Sequence, residues 1–439
     1  MMCPISGMVQ FLIVVVTLLL LCHAAVVRSL EIVFEPRNAT VHMHDTIPIA
    51  YQILKAPDEN FNTVRLYTEN PNVAKLDSFI IKAQSGTFNL TGNFLGKTEV
   101  RCQGAQGKLD VTVVRKKRVI DTIFTSSVAT LVSILYINFG CALNWGEMIR
   151  NLKRPIGPAI GFVGQFLVMP LLSFGVGKLL FPDSPEMQLG MFFTGVSPAG
   201  GASNIWTVVL DGNMDLSVTM TTISTLAAFG MMPLWLFTLG KVIFDQGDIT
   251  VPYSQISTYA IALVIPLGIG FLLSRYCKKV ATFLVRILKG FSAVLLLFII
   301  VFAIVTNLYL FELFSWQIVV AGMGLPYLGY LLGYLLAAIL KQPSPDCLAI
   351  AIETGIQNTG IAIFLLRFTL PQPQADLTTV APVSVAMMTP LPLLIMLVYK
   401  KIKARLYPAR KKLNMAVQEL TIDGNSNTQK EDRLIPTIA

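Results

Sequence analysis

From residue 117 onward the chain is a succession of apolar segments, each about as long as a bilayer is thick. They fall at 119–144, 157–181, 188–210, 216–243, 256–274, 290–311, 316–340, 347–370 and 380–399. A helix needs roughly 20 apolar residues to cross the hydrocarbon core. Free backbone groups find no water there, so helices are what such segments form. The pattern predicts an all-α polytopic membrane domain of about nine spans over 117–400. Composition agrees: 54% of the chain is hydrophobic and 13% charged, against about 25% charged in soluble domains. The net charge of +9 does not mark a nucleic-acid binder. Lys and Arg sit in short runs between apolar segments, where they set topology, so the expected partner is the lipid bilayer and not nucleic acid.

The basic residues sort by parity. Arg150, Lys153 and Arg154 follow the first segment, Arg275, Lys278 and Lys279 the fifth, Lys341 the seventh, and Lys400, Lys401 and Lys403 the ninth. The opposite loops at 181–187, 244–255, 312–315 and 371–379 hold neither Lys nor Arg. The excess of positive charge on cytoplasmic loops then places the C-terminus in the cytoplasm and the N-terminus outside. A multi-pass protein of the plasma membrane is expected. One run conflicts: Arg115-Lys116-Lys117-Arg118 lies on the outer side of the first span.

The chain ahead of the spans has a different character. An apolar run at 8–21, followed by Cys22-His23-Ala24-Ala25, predicts a signal peptide over 1–29; an uncleaved anchor helix is the other reading. In 30–116, short stretches at 31–34, 46–53, 64–67, 78–82, 98–102 and 109–114 alternate apolar and polar residues. Six or seven such strands predict a small Ig-like β-sandwich. The sequons Asn38-Ala39-Thr40 and Asn89-Leu90-Thr91 make Asn38 and Asn89 glycosylation candidates. A binding partner of this domain is left open. Past 401 the tail is basic and then polar, which predicts a disordered cytoplasmic segment over 401–439.

Function classes narrow quickly. The six cysteines form no CxxC pair, so neither a disulfide framework nor a zinc site is implied. The histidines, His23, His42 and His44, all precede the spans. The membrane region lacks imidazole for acid–base work, and nothing supports an enzyme.

A repeat lies within the spans. Ser184-Pro185-Glu186 is followed by Thr194-Gly195-Val196 and Gly200; Ser344-Pro345-Asp346 is followed by Thr354-Gly355-Ile356 and Gly360. The offset is constant and five spans separate the copies, so the second is inverted, as in many secondary transporters. Each copy holds a stretch that cannot continue a lipid-facing helix: Ser197-Pro198-Ala199-Gly200-Gly201 and Thr354-Gly355-Ile356-Gln357-Asn358-Thr359-Gly360. Two broken helices crossing at mid-membrane are predicted. Glu353 is an acid deep within a span, which marks an ion path. Ser203, Asn204, Ser217, Thr221, Gln165, Gln357 and Asn358 supply hard oxygens around it, a set suited to sodium.

Three segments resemble the sodium/bile acid cotransporter family. They are Ile160-Gly161-Phe162-Val163-Gly164-Gln165-Phe166-Leu167-Val168-Met169-Pro170, Ser197-Pro198-Ala199-Gly200-Gly201-Ala202-Ser203-Asn204 with Gly212-Asn213-Met214-Asp215-Leu216-Ser217 beyond it, and Glu353-Thr354-Gly355-Ile356-Gln357-Asn358-Thr359-Gly360. The resemblance covers about residues 119–400. The N-terminal domain places the chain nearest the subgroup with a long extracellular extension. The resemblance implies a helical panel and core, with nine-span members lacking the first helix of a ten-helix plan. It implies two Na⁺ sites: Ser203, Asn204, Ser217, Thr221 and Glu353 in one; Gln165, Glu353, Gln357 and the carbonyls of Thr354 and Ile356 in the other. It also implies a substrate region at Gly200, Gly201, Asn358 and Thr359. Relatives often carry Thr or Asn where Gly201 stands, which weakens the case for bile acids themselves. Two Na⁺ and one Glu leave a positive excess that favours an anion. The expected function is sodium-coupled symport, by alternating access, of a small organic anion: bile-acid-like, a steroid conjugate, or another carboxylate or sulfate. A transporter-like receptor or scaffold is the alternative; the intact sodium ligands argue against it.

Overall fold

The computed structural model describes residues 30–403, except 56–63, 288–314 and positions 78, 82, 104, 117, 143–145, 147–148, 150–152, 154, 248 and 250–251. The expected signal peptide, the sixth expected span and all but the first residues of the tail lie outside the described residues. The chain divides into two compact units. One holds the residues up to Phe124 with Leu370–Leu377, the other Thr125–Thr369 with the residues from Thr378.

In the first unit, two five-stranded sheets form. One runs β5 (Ala74–Leu76), β7 (Ser85–Gly92), β3 (Thr46–Lys55), β1 (Leu30–Glu35), β9 (Ala105–Gln106). The other runs β2 (Asn38–His42), β10 (Lys108–Val114), β8 (Gly96–Gln103), β4 (Arg65–Thr68), β6 (Phe79–Ile80). Alternation along each strand puts one set of side chains inward. Phe34, Ile49, Ile53, Phe88 and Leu90 from one sheet meet Val41, Leu66, Val100, Leu109 and Val111 from the other in one buried cluster. Each such side chain contributes about 1.5–3 kcal/mol by leaving water. All six expected strand segments fall on strands. Four strands went unread, β7 among them: of its Ser85-Gly86-Thr87-Phe88-Asn89-Leu90-Thr91-Gly92, only Phe88 and Leu90 are large and apolar, too few to declare a period.

Among the described residues of the basic run after β10, Arg115, Lys116 and Arg118 each face an acid. Arg115 Nη1 lies 2.7 Å from Asp121 Oδ1, and its Nη2 lies 3.5 Å from Asp376 Oδ2. Lys116 reaches Asp45 at 2.8 Å. Asp121 also accepts the backbone N–H of Arg118 at 2.8 Å. Asp121 sits in the first turn of α1 (Val119–Ala142), where a negative charge complements the exposed N–H groups of the helix start.

Six helices among the described residues are long and apolar enough to cross a membrane. They are α1, α2 (Ile156–Leu180), α5 (Met214–Phe237), α7 (Tyr253–Tyr276), α8 (Trp316–Ile339) and α11 (Gln374–Lys403). Shorter helices lie between them: α3 (Pro185–Val196), α4 (Ala202–Val209), α6 (Leu239–Gln246), α9 (Ser344–Gly355) and α10 (Thr359–Thr369). The third and eighth expected spans are thus each broken in two, as their sequence predicts. The fourth is shorter than expected: it ends at Phe237, and Thr238 separates it from α6.

The repeated Ser-Pro-acid is a helix start. It opens α3 and α9, each 12 residues long. Proline there has no N–H to leave unsatisfied, and Glu186 or Asp346 faces the positive helix end. Helix α9 is held close to α8. A Cβ at Gly333 would lie 3.0 Å from Thr354 Cβ, and one at Gly329 would lie 2.9 Å from Gly355 Cα. Small residues one turn apart are what close helix contact in lipid requires.

Candidate functional site

Breaking two helices frees backbone groups that hydrocarbon cannot satisfy. Here the two breaks satisfy each other. Gly200 N–H donates to Ile356 C=O at 2.8 Å, and Asn358 N–H donates to Pro198 C=O at 2.9 Å. Ala199 and Gln357 pair as an antiparallel bridge. Ala199 N–H also reaches Ser224 Oγ at 3.3 Å. The approach leaves no room at Gly200: a Cβ there would sit 2.9 Å from Gln357 O and 3.0 Å from Ile356 Cγ2.

Glu353 ends the last full turn of α9 and is 3% exposed. One carboxylate oxygen accepts the Thr221 hydroxyl. The other lies 2.9 Å from Ser217 Oγ, which is also 2.9 Å from Asn204 Oδ1. Asn204 Nδ2 donates to Thr221 Oγ1 at 3.1 Å. Ser217 and Thr221 share a face of α5 because they are one turn apart. Ser203, fully buried, faces the carboxylate but has no hydrogen bond of standard geometry. The five residues expected for one cation site are therefore gathered at one place. Thr207 joins them unforeseen, its hydroxyl 3.3 Å from Ser217 Oγ.

Of the second expected group, Gln165, Gln357 and the Thr354 carbonyl meet, while the Ile356 carbonyl accepts from Gly200 and Glu353 contacts the first group. Gln165 occupies a single π turn of α2, Gly164–Val168. Its Nε2 donates to Ser197 O at 2.6 Å and to Gln357 Oε1 at 2.7 Å. Gln357 Nε2 donates to Thr354 O at 2.8 Å. Thr354 Oγ1 is buried and has no hydrogen-bond partner. Such local π turns often mark functional positions. Ser197 was not foreseen, and neither was Ser224. Ser217, Thr221 and Ser224 lie at i, i+4 and i+7 of one helix, so a periodicity count on α5 would have found the last.

Fit to sodium can be judged from donor chemistry. Sodium takes uncharged and anionic oxygens, and the buried Thr354 Oγ1 is an oxygen without a hydrogen-bond partner. A buried polar atom without a partner is costly, and a bound cation supplies one. The residues fit.

Beside the crossing lies an open cavity. Gly200, Gly201, Asn358 and Thr359 line it, with Leu135, Trp206, Ile356, Ala386 and Pro390. Asn358 Oδ1 accepts the Ile361 N–H at 3.2 Å, while its Nδ2 is buried and unpartnered. The wall is thus apolar with a free donor at the crossing.

Oxygens collected where two membrane helices break belong to a transporter, not an enzyme. Comparison with known proteins agrees. The profile of the Sodium Bile acid symporter family matches residues 129–312. The ileal sodium/bile acid cotransporter of Cricetulus griseus is 34% identical over 266 residues, 60% of this chain and 75% of that protein. The P3 protein of Homo sapiens is 31% identical over 281 residues, 63% of this chain and 59% of that protein. The sodium-dependent organic anion transporter of Rattus norvegicus is 33% identical over 249 residues, 56% and 65% of the two chains. This chain belongs to the sodium bile acid symporter family.

Proposed function

We propose that this chain is a sodium-coupled symporter of a small organic anion, working by alternating access. The observation that carries the reading is Glu353, a buried carboxylate held by Ser217 and Thr221 at the crossing of the broken helices. Relatives named for sodium-dependent transport support it. One Na⁺ site comprises Ser203, Asn204, Ser217, Thr221 and Glu353. The other comprises Gln165, Glu353, Gln357 and the Thr354 and Ile356 carbonyls. The anion, bile-acid-like, a steroid conjugate or another carboxylate or sulfate, enters the cavity at Gly200, Gly201, Asn358 and Thr359. The two halves of the membrane domain are inverted copies, a reading supported by the matched helix starts of α3 and α9. Nine spans result if the segment 290–311 also crosses.

The first unit is an Ig-like domain outside the plasma membrane, glycosylated at Asn38 and Asn89, with the C-terminus in the cytoplasm. Its strand order supports the Ig-like reading. The run β5-β7-β3-β1 and the run β2-β10-β8-β4 match the D-E-B-A and A′-G-F-C orders of Ig sandwiches.

The test is uptake of a radiolabelled organic-anion panel with and without sodium, at matched surface levels. Glu353→Gln removes the charge that two cations share, at a cost of several kcal/mol in a weakly polar site. Sodium-dependent uptake should be lost. Thr221→Ala removes one neutral ligand that water can replace, so its half-saturating sodium should rise severalfold with transport retained. An unchanged sodium dependence in Glu353→Gln would mean that this carboxylate is structural.

A further inference from the structure

The π turn of α2 carries Gln165 and is itself held from another helix. Pro170 stands four residues after Phe166, and a proline gives no N–H to the carbonyl one turn back. The Phe166 carbonyl takes the indole of Trp235, whose Nε1 donates to it at 2.8 Å. Trp235 is on α5, about four turns beyond Thr221. Its side chain is half-buried, and Phe166 is buried. A π turn inserts one residue, which rotates the parts of the helix on either side by about 100° relative to each other. Holding a carbonyl in the middle of that turn therefore sets the direction of its neighbours. Both neighbours meet the second cation group. A Cβ at Gly164 would lie 2.7 Å from Thr354 Oγ1. Gln165 Nε2 donates to Ser197 O and to Gln357 Oε1, one in each break.

We infer that Trp235 is a positioning residue for the cation group at Gln165, acting through the Phe166 carbonyl; this rests on the sodium reading above. The side chain suits the task. An indole has one N–H and no acceptor, on a stiff ring long enough to reach the next helix. A hydroxyl on α5 turns back to its own backbone instead, as Thr222 does to Val218 O at 2.8 Å. Helix α5 thus carries Ser217 and Thr221 of one cation group and, through Trp235, fixes Gln165 of the other. Removing the indole N–H leaves the Phe166 carbonyl without this donor. The π turn is then free to relax, and Gln165 loses its aim between the two breaks.

The experiment reads the rise in melting temperature of the purified full-length protein as sodium replaces choline at constant ionic strength, so it needs no transported anion. The sodium concentration giving half the rise measures affinity. Trp235→Phe keeps a ring and removes the N–H, and should raise that concentration about three- to tenfold. Trp235→His should stay closer to wild type, because imidazole superposes on the five-membered half of an indole and puts Nε2 where Nε1 stands. Gln165→Ala should weaken sodium as well. Adding Trp235→Phe to Gln165→Ala should weaken it no further, because the indole acts through Gln165. A packing role predicts a lower melting temperature in sodium and choline alike, with the half-maximal concentration unmoved. That result, or full additivity with Gln165→Ala, would overturn the inference. Equal melting of wild type in sodium and in choline would instead overturn the sodium reading, and this inference with it.

Discussion

At the scale of single residues, the site depends on where small and polar side chains are forced together. Gly200 is the sharpest case. Its N–H closes one of the two hydrogen bonds between the breaks, and any Cβ would meet the Gln357 carbonyl at 2.9 Å. Overpacking of this kind costs about 1–3 kcal/mol, and the obstacle here is backbone, which cannot swing aside. Gly200→Ala should reduce the maximal uptake rate severalfold, and Gly200→Val should abolish transport while surface expression persists. Normal uptake by Gly200→Val would show that the breaks do not need this approach. Gly360 lies within the first turn of α10 and is buried. Glu353 was legible because an acid is out of place in an apolar span, and Ser217 and Thr221 because their i, i+4 spacing puts two hydroxyls on one helix face. Ser197 and Thr207 were not, since a lone Ser or Thr in a membrane helix is common and says nothing until its neighbours are known.

At the scale of elements, the basic run after β10 is the one that conflicts with the orientation expected from the loop charges. Counted as free charge, Arg115-Lys116-Lys117-Arg118 opposes the topology that every other loop supports. In the fold, Arg115 faces Asp121 and Asp376, Lys116 faces Asp45, and Asp121 caps the start of α1. Asp376 is 1% exposed, so its cation matters. Arg115→Met should lower the unfolding free energy by about 2–4 kcal/mol, less than for a fully stranded buried charge because Asp376 keeps other polar contacts. Asp376→Asn should cost less, since Arg115 retains Asp121. Thermal unfolding of the two variants checks the order; equal or negligible shifts would mean that the pair contributes nothing. The π turn at Gly164–Val168 is a second feature that no pattern announced. Its extra residue per turn does not disturb an apolar segment that faces lipid on one side and protein on the other.

At the scale of the whole molecule, the chain joins a water-adapted sandwich to a lipid-adapted bundle, and each follows its solvent. Strand alternation leaves Asn38 and Asn89 exposed on the sandwich. If that unit lies outside the membrane, glycosidase treatment should raise gel mobility, and combined Asn38→Gln and Asn89→Gln should remove the shift; an unshifted wild type would place the unit on the other side. The sequence by itself determined the solvent of each segment, because transfer energies add up residue by residue along the chain. It determined the two interruptions as well, because Pro and Gly runs break helices locally. It also determined the starts of α3 and α9, where Ser-Pro-acid meets the needs of a helix end. What only the tertiary structure decided is which partners those local features find. The breaks pair with each other across 158 residues of chain, from Ala199 to Gln357. Asp376 meets Arg115, and the polar face of α5 meets Glu353. Such meetings rest on contacts distant in sequence, for which hydrophobic periodicity carries no signal, and they turn a set of apolar helices with a few oxygens into a place where an ion can bind.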